Sequence, residues 1–286
     1  MINSRSRALQ SPKQIQKKRN KLIITSSLIF LCSIIFIILI ILFFRLAFLQ
    51  ISNIIVNGNP TIAFSEIENE TYLTFNGEYL NIIPRSSSIF YSKSKIEKNL
   101  IDKFKKIDSL NIKQKGISTL EINIKEKETV AVVCDGFHDD DLQSADQKCY
   151  SVDKNGYVFE ESVILSESVY PHYYIDLSKN TNIIGSNFID NKMFLDLQNF
   201  INIIQNSHIS VIGILIGEND QYELYVRNKD NTEAVVYFDN KNPLEKLANN
   251  FVLFWNDAMA KKKNPTVPIF DYINLKFGNN IFYATK

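Results

Sequence analysis

The chain has 286 residues, 45% of them apolar and 22% charged, a balance that suits a folded chain and excludes global disorder. Its net charge of +1 hides an asymmetry: residues 1–45 carry eight Lys or Arg and no acid, and the remainder carries 24 basic against 31 acidic groups, a net of −7. The larger part therefore lacks the cationic excess that phosphate neutralisation needs, which excludes a nucleic-acid binder.

From Leu22 to Phe44 the chain reads LIITSSLIFLCSIIFIILIILFF without a single charge. A helix of that length rises roughly 34 Å at about 1.5 Å per residue, enough to cross a hydrocarbon core of about 30 Å. A buried core helix rarely stays apolar all round for so long. A cleaved signal peptide has a shorter apolar run that ends at small residues, whereas Arg45, Leu46, Phe48 and Leu49 follow here. Residues 1–21 are thus expected to be a basic cytoplasmic tail and residues 22–44 an uncleaved transmembrane helix. Arg5, Arg7, Lys13, Lys17, Lys18, Arg19 and Lys21 precede the span; the positive-inside rule keeps them in the cytoplasm and sends residues 46–286 to the far side of the membrane.

The outer part opens with a short strand, ISNIIVNGNP, ended by Gly58 and Pro60. A helical stretch around Ser65–Leu73 and a loop, FNGEYLNIIPRSSS, follow. A second helix is expected from Ser94, with Glu97 three residues on as a capping box and Ile96, Leu100, Ile101 and Phe104 as its apolar stripe. Leu120, Ile122 and Ile124 then alternate with polar residues, the mark of a half-buried strand. Residues 46–127 thus form a compact α+β module.

From about Glu128 the pattern is mostly β. In CYSVDKNGYVF (149–159) the Asn155-Gly156 pair is expected to supply the positive φ angles of a tight hairpin. Tyr222, Leu224 and Val226 alternate along one strand, and Ala234, Val236 and Phe238 along another. One helix carries Met193, Phe194, Leu197, Phe200, Ile201 and Ile204 on a single face. A second starts at Asn242-Pro243, an N-cap followed by proline, with Leu244, Leu247, Phe251, Phe254 or Trp255, and Ala258 as its face. The chain closes with DYINLKF (271–277), a turn at Gly278-Asn279-Asn280, and Ile281–Tyr283.

Cys134 and Cys149 flank a polar insert, GFHDDDLQSADQK, between two strand-like runs. They either meet across a hairpin as a disulfide, which an oxidising compartment permits, or remain two thiols. Zinc is not expected from two cysteines and His138. His138-Asp139-Asp140-Asp141 lacks the glycine and bidentate glutamate of a calcium loop. The Asn69-Glu70-Thr71 triplet is read as a chance match to a glycosylation acceptor. No phosphate loop, nucleophile elbow, zinc-protease pair or dinucleotide fingerprint occurs. The expectation is no enzyme, no cofactor and no small-molecule substrate.

In combination these segments resemble the FtsQ/DivIB family of bacterial cell-division proteins, over nearly the whole chain. ISNIIVNGN directly after the span is similar to the opening strand of that family's POTRA domain, and STLEINIKEKETVAVV (118–133) to the strand pair that ends it. CYSVDKNGYVFEES, PLEKLANNFVLFW and DYINLKFGNNIFY resemble the family's hairpin, penultimate helix and closing strands. Lys127-Glu128-Thr129 stands where relatives often have Arg and Pro after the acidic residue, and Asn274 and Lys276 where they have Asp and Arg.

The resemblance implies a POTRA-type βααββ domain over 46–127 and a mostly antiparallel β domain with flanking helices over 128–286. It implies a type II protein of the inner cell membrane, at the division septum, that docks FtsB/FtsL-type partners and helps control septal peptidoglycan synthesis. The docking surface is expected on a strand at the C-terminal sheet edge, with Ile273, Leu275 and Phe277 on one face and Tyr272, Asn274 and Lys276 on the other. Tyr272 matches the tyrosine that begins the family's closing motif, and Phe282 a later aromatic contact. The alternative is a membrane-anchored, POTRA-containing envelope module for secretion or transport. Such modules normally carry repeated POTRA units, and no internal repeat is found here.

Overall fold

A computed structural model describes residues 12–58, 60–136, 147–162, 170–177, 182–227, 233–260 and 270–285. The chain is α+β: one N-terminal apolar helix, a small mixed module, and a domain built on a mostly antiparallel sheet. It divides into two compact units. The first comprises the described residues up to Lys103 together with Ser109–Lys125, and the second Phe104–Asp108 with the described residues from Glu126 on.

The N-terminal helix α1 (Pro12–Phe44) is long and apolar enough over Gln16–Phe44 to cross a membrane, and its apolar window buries nothing inside the protein. Two of its four hydroxyls fold back onto the helix backbone. Thr25 donates to the Lys21 carbonyl oxygen at 2.8 Å, and Ser33 to that of Phe30 at 2.7 Å, so each is satisfied within the helix.

The rest of the first unit runs β1 (Asn53–Asn57), α2 (Phe64–Thr74), β2 (Glu78–Tyr79), β3 (Ile83–Pro84), α3 (Lys93–Lys103), β4 (Ile107–Lys115) and β5 (Thr119–Glu126). The three long strands lie in the order β1-β5-β4. β1 runs parallel to β5, with Asn53 opposite Thr119 and Asn57 opposite Asn123. Ile67 from α2, Ile96 and Leu100 from α3, and Leu120 and Ile122 from β5 are fully buried; each such side chain contributes about 1.5–3 kcal/mol.

Three local expectations need correction. α3 is capped at Ser92, whose hydroxyl accepts from the Lys95 amide at 3.3 Å, and Ser94 is the second helical residue. Ile101 falls outside the buried stripe, because it is turned well away from the Ile96–Leu100 line at 100° per residue, and it is exposed. The stretch read as a loop after α2 contains the β2–β3 hairpin. Its turn closes with the Ile82 amide donating to the Tyr79 carbonyl oxygen at 2.9 Å, and both central residues, Leu80 and Asn81, have positive φ.

The second unit holds β6 (Ala131–Asp135), β7 (Cys149–Val152), β8 (Val158–Ser162), β9 (His172–Ile175), α4 (Asn191–Asn206), β10 (Ser210–Ile216), β11 (Gln221–Arg227), β12 (Glu233–Asp239), α5 (Leu244–Ala260), β13 (Phe270–Phe277) and β14 (Asn280–Thr285). All nine strands form one sheet in the order β14-β13-β12-β11-β10-β9-β6-β7-β8. Parallel neighbours occur at β12/β13, β10/β9 and β6/β9, and the other pairs are antiparallel.

Alternation along β11 and β12 sends Tyr222, Leu224, Val226, Ala234, Val236 and Phe238 into one core with the stripes of α4 and α5. Phe200 stacks on Phe238 at 4.6 Å, and Phe238 on Tyr222 at 5.1 Å. On α4, Asp190 caps the helix by accepting from the Lys192 and Met193 amides. On α5 the first helical bond runs from Leu247 to the Pro243 carbonyl, one residue later than the Asn-Pro pair suggested. Of the pair Phe254 and Trp255, Trp255 joins Phe251 in the core, whereas Phe254 is half-buried against Phe270 and Tyr283.

Cys134 and Cys149 face each other across β6 and β7 and are bonded. The HDDD insert between them, including His138, lies outside the described residues. The β7–β8 turn departs from the expected pair of positive angles, since only Gly156 has one. Asp153 organises the turn. Its Oδ1 accepts from the Asn155 and Tyr157 amides at 2.8 and 3.1 Å, and its Oδ2 from Lys127 Nζ at 2.9 Å.

Tyr173, on β9, is fully buried, with Gln198 Nε2 donating to its hydroxyl at 3.0 Å. Burial pushes its pKa far above the ordinary tyrosine value, the Gln198 bond offsetting this in part. Tyr222 is raised too, by burial and then by Asp220. A phenol whose folded pKa is raised contributes fully below its unfolded pKa of about 10, and stability is lost as pH rises past that value. The denaturation midpoint of the second unit is therefore expected to fall above about pH 10, at up to ~1.4 kcal/mol per pH unit from Tyr173. Tyr173→Phe is expected to make that fall shallower in a urea titration repeated across pH.

Candidate functional site

The two ends of the large sheet differ in chemistry. β8 is blunted. Val158 exchanges hydrogen bonds with the 185–186 segment, its amide donating to the Ser186 carbonyl at 2.9 Å and its carbonyl accepting from the Gly185 amide at 2.8 Å. Glu160 and Glu161 follow on the same strand, with Glu160 held by Lys106 Nζ at 2.7 Å. Covered backbone and charge are how natural sheets discourage further pairing. β14 has neither. It reads NIFYAT without a charge, lies outermost in the sheet, and leaves Phe282 and Tyr283 each 54% exposed.

This corrects the place of the edge. β13, where the sequence put the docking strand, is the penultimate strand, paired with β12 through Val235↔Tyr272 to Tyr237↔Asn274 and with β14 on its other side. Ile273 and Leu275 are core residues. Tyr272, Asn274 and Lys276 share the sheet face opposite α4 and α5. There Tyr272 packs on Tyr237 at 6.2 Å, Lys276 Nζ lies 5.9 Å from the Tyr237 ring and bonds Gln221 Oε1, and Asn274 Oδ1 accepts the Lys276 amide at 3.0 Å. Phe282 pairs with Asn274 and so projects onto this face, edge-on to Phe277 at 4.9 Å. Of the seven expected contact residues, only Phe282 lies on the edge strand itself.

The result is an edge with a platform on each side. An extended segment pairing with β14 would lay alternate side chains against Phe282, Ala284 and Tyr272 on the open face, and against Tyr283 and Phe254 on the helix face. Tyr283 stands on Phe254 and Phe270 at 5.1 and 5.7 Å. Sequence reading missed Tyr237, Tyr283 and Ala284. The parity of β12 already turned Tyr237 away from the core, but the order of strands was needed to see that it lies beside Tyr272.

Nothing comparable gathers elsewhere among the described residues. Among the described residues no group of three or more His, Cys, Asp or Glu is placed to hold a metal ion. His172 is buried, its Nδ1 2.9 Å from the Tyr170 carbonyl oxygen, and His208 lies in the turn after α4. A cleft beside the N-termini of α4 and α5 is lined by side chains of both signs, Lys192, Asp196, Lys241 and Glu245, and has no single electrostatic character. Neither a scan against protein-family models nor a search of curated proteins returns a match for this chain.

Proposed function

We propose that this chain is a single-pass envelope scaffold that works by docking other proteins, in the manner of the FtsQ/DivIB division proteins. In this reading the basic tail stays in the cytoplasm, α1 spans the inner membrane, and both folded units lie outside. The first unit is of POTRA type, and the second receives a membrane-proximal partner of the FtsB/FtsL kind at the septum, thereby helping to control septal peptidoglycan synthesis.

The observation that carries the reading is the uncharged, aromatic edge of β14, the one end of the large sheet without charge on its strand. The run of basic residues before Leu22 supports the orientation. The test is capture from native membranes by the tagged full-length chain, read by mass spectrometry, beside Phe282→Asp and Phe282→Leu. Small coiled-coil division proteins should be captured by the wild type and by Phe282→Leu. Phe282→Asp should lose them by about tenfold or more, corresponding to ~1.4 kcal/mol or above at a central aromatic contact. Because Phe282 is exposed, the melting temperature should not move. Capture of transport or secretion components in place of division proteins would overturn the division reading. Equal capture by all three chains would move docking away from β14.

A further inference from the structure

The end of α1 is surrounded by apolar side chains that no described residue covers. Leu46 and Phe48 follow the helix directly, and Leu80, Ile82, Ile89 and Phe90 come from the β2–β3 hairpin and the segment after it; all six are exposed, Leu80 at 90%. They are tied to the helix end. Arg45 Nη2 donates to both Glu78 carboxylate oxygens at 2.9 and 3.0 Å, and its Nε to the Ile82 carbonyl oxygen at 3.2 Å. Phe44 meets Phe90 edge-on at 5.0 Å. Residues 49–51 pair with 86–88, through Ser88 N–H to Leu49 O and Ile51 N–H to Ser86 O, both at 2.8 Å. Leu80 is two residues from Ile82, hence within about 7 Å of it along the chain.

We propose that this hairpin and the 86–90 segment form a collar that inserts into the outer headgroup region of the bilayer, around the point where α1 leaves it. The proposal rests on the reading of α1 as a membrane span. Whatever is held on the last turn of a spanning helix is confined to the membrane boundary, so the occupant of this apolar surface is lipid. Leu80 supports this independently. It occupies a left-handed position that Asn or Gly would fill without strain, and in water its exposure would bring no compensating burial. The charges agree as well. Glu78 is the only acid between Asn76 and Tyr91 and is neutralised by Arg45, which leaves Arg85, lying 5.8 Å from the Tyr79 ring, to meet anionic headgroups. Tyr79 and Tyr91 add the aromatic character typical of that depth.

The test uses the full chain carrying Trp255→Phe, reconstituted in phosphatidylcholine–phosphatidylglycerol vesicles, with single tryptophans introduced by Leu80→Trp, Ile89→Trp or, within the span, Phe30→Trp. Lipids brominated near the glycerol end or near the chain terminus act as depth-selective quenchers. Leu80→Trp and Ile89→Trp should emit at shorter wavelength than an exposed reference, Lys154→Trp, and lose emission mainly to the shallow bromines. Phe30→Trp should lose emission mainly to the deep ones. Two unquenched collar positions beside a quenched Phe30→Trp would overturn the collar and leave the span standing. An unquenched Phe30→Trp would overturn both. Emission at short wavelength without bromine quenching would mean that a second copy of the chain, not lipid, covers the surface, and would overturn the proposal.

Discussion

Gly58→Ala is expected to unfold the first unit while the second keeps its protected amides. Gly58 ends β1 at φ +122°, a region open in practice only to glycine, and a Cβ there would overlap the Ile124 carbonyl oxygen of β5. The obstacle is backbone, so no rotamer change relieves it. Either β1 detaches from β5 or β5 shifts, and both break the pairing that runs from Asn53↔Thr119 to Asn57↔Asn123. A cost of about 4 kcal/mol or more belongs to this kind of strain, against a total stability of roughly 5–15 kcal/mol for an ordinary domain. Hydrogen exchange read by strand would check it. Protection should disappear from β1 and β5 and persist in β11 and β12, whose side chains belong to a separate core.

The second large effect is expected at Asp153. This carboxylate is buried, accepts two turn amides and bonds Lys127, whose side chain is only 15% exposed and also lies 4.9 Å from the Tyr157 ring. Asp153→Ala would orphan both amides and leave a largely buried ammonium without its counter-charge, at about 3–5 kcal/mol. In urea the midpoint should fall by about 2 M for a slope near 2 kcal/mol/M. Asp153→Asn keeps an oxygen for the two amides and removes only the charge, so its fall should be smaller. Equal losses for the two variants would place the whole effect in the ion pair.

What the sequence revealed and what it hid divide along physical lines. The span, the stripes of α4 and α5, and the alternation of β5, β11 and β12 are local periodicities, visible because burial repeats every 3.6 or 2 residues. Ser92 and Asp153 act through single side-chain oxygens on nearby amides, and such residues compete closely with neighbours of the same type. Ser94 with Glu97 looked the better cap because a pattern cannot show where the chain enters the helix. The Leu80-Asn81 turn was invisible for the opposite reason, since neither residue is a glycine. The edge was misplaced because strand order is non-local. DYINLKF has the composition of an edge and of an interior strand alike, and only the return of β14 after Gly278 shows that β13 is covered on both sides.

The parallel pairing of β1 with β5 also sets a schedule for synthesis. The register partner of Asn57 is Asn123, 66 residues on, and at roughly 5–20 residues per second the ribosome needs about 3–13 s to reach it. Throughout that interval Ile54, Ile55 and Val56 have no strand to join. The first strand to follow α1 is therefore the last strand pairing of its unit to be secured. A holdase that recognises short apolar extended segments has its opportunity there, and slower elongation between Asn57 and Thr119 prolongs it.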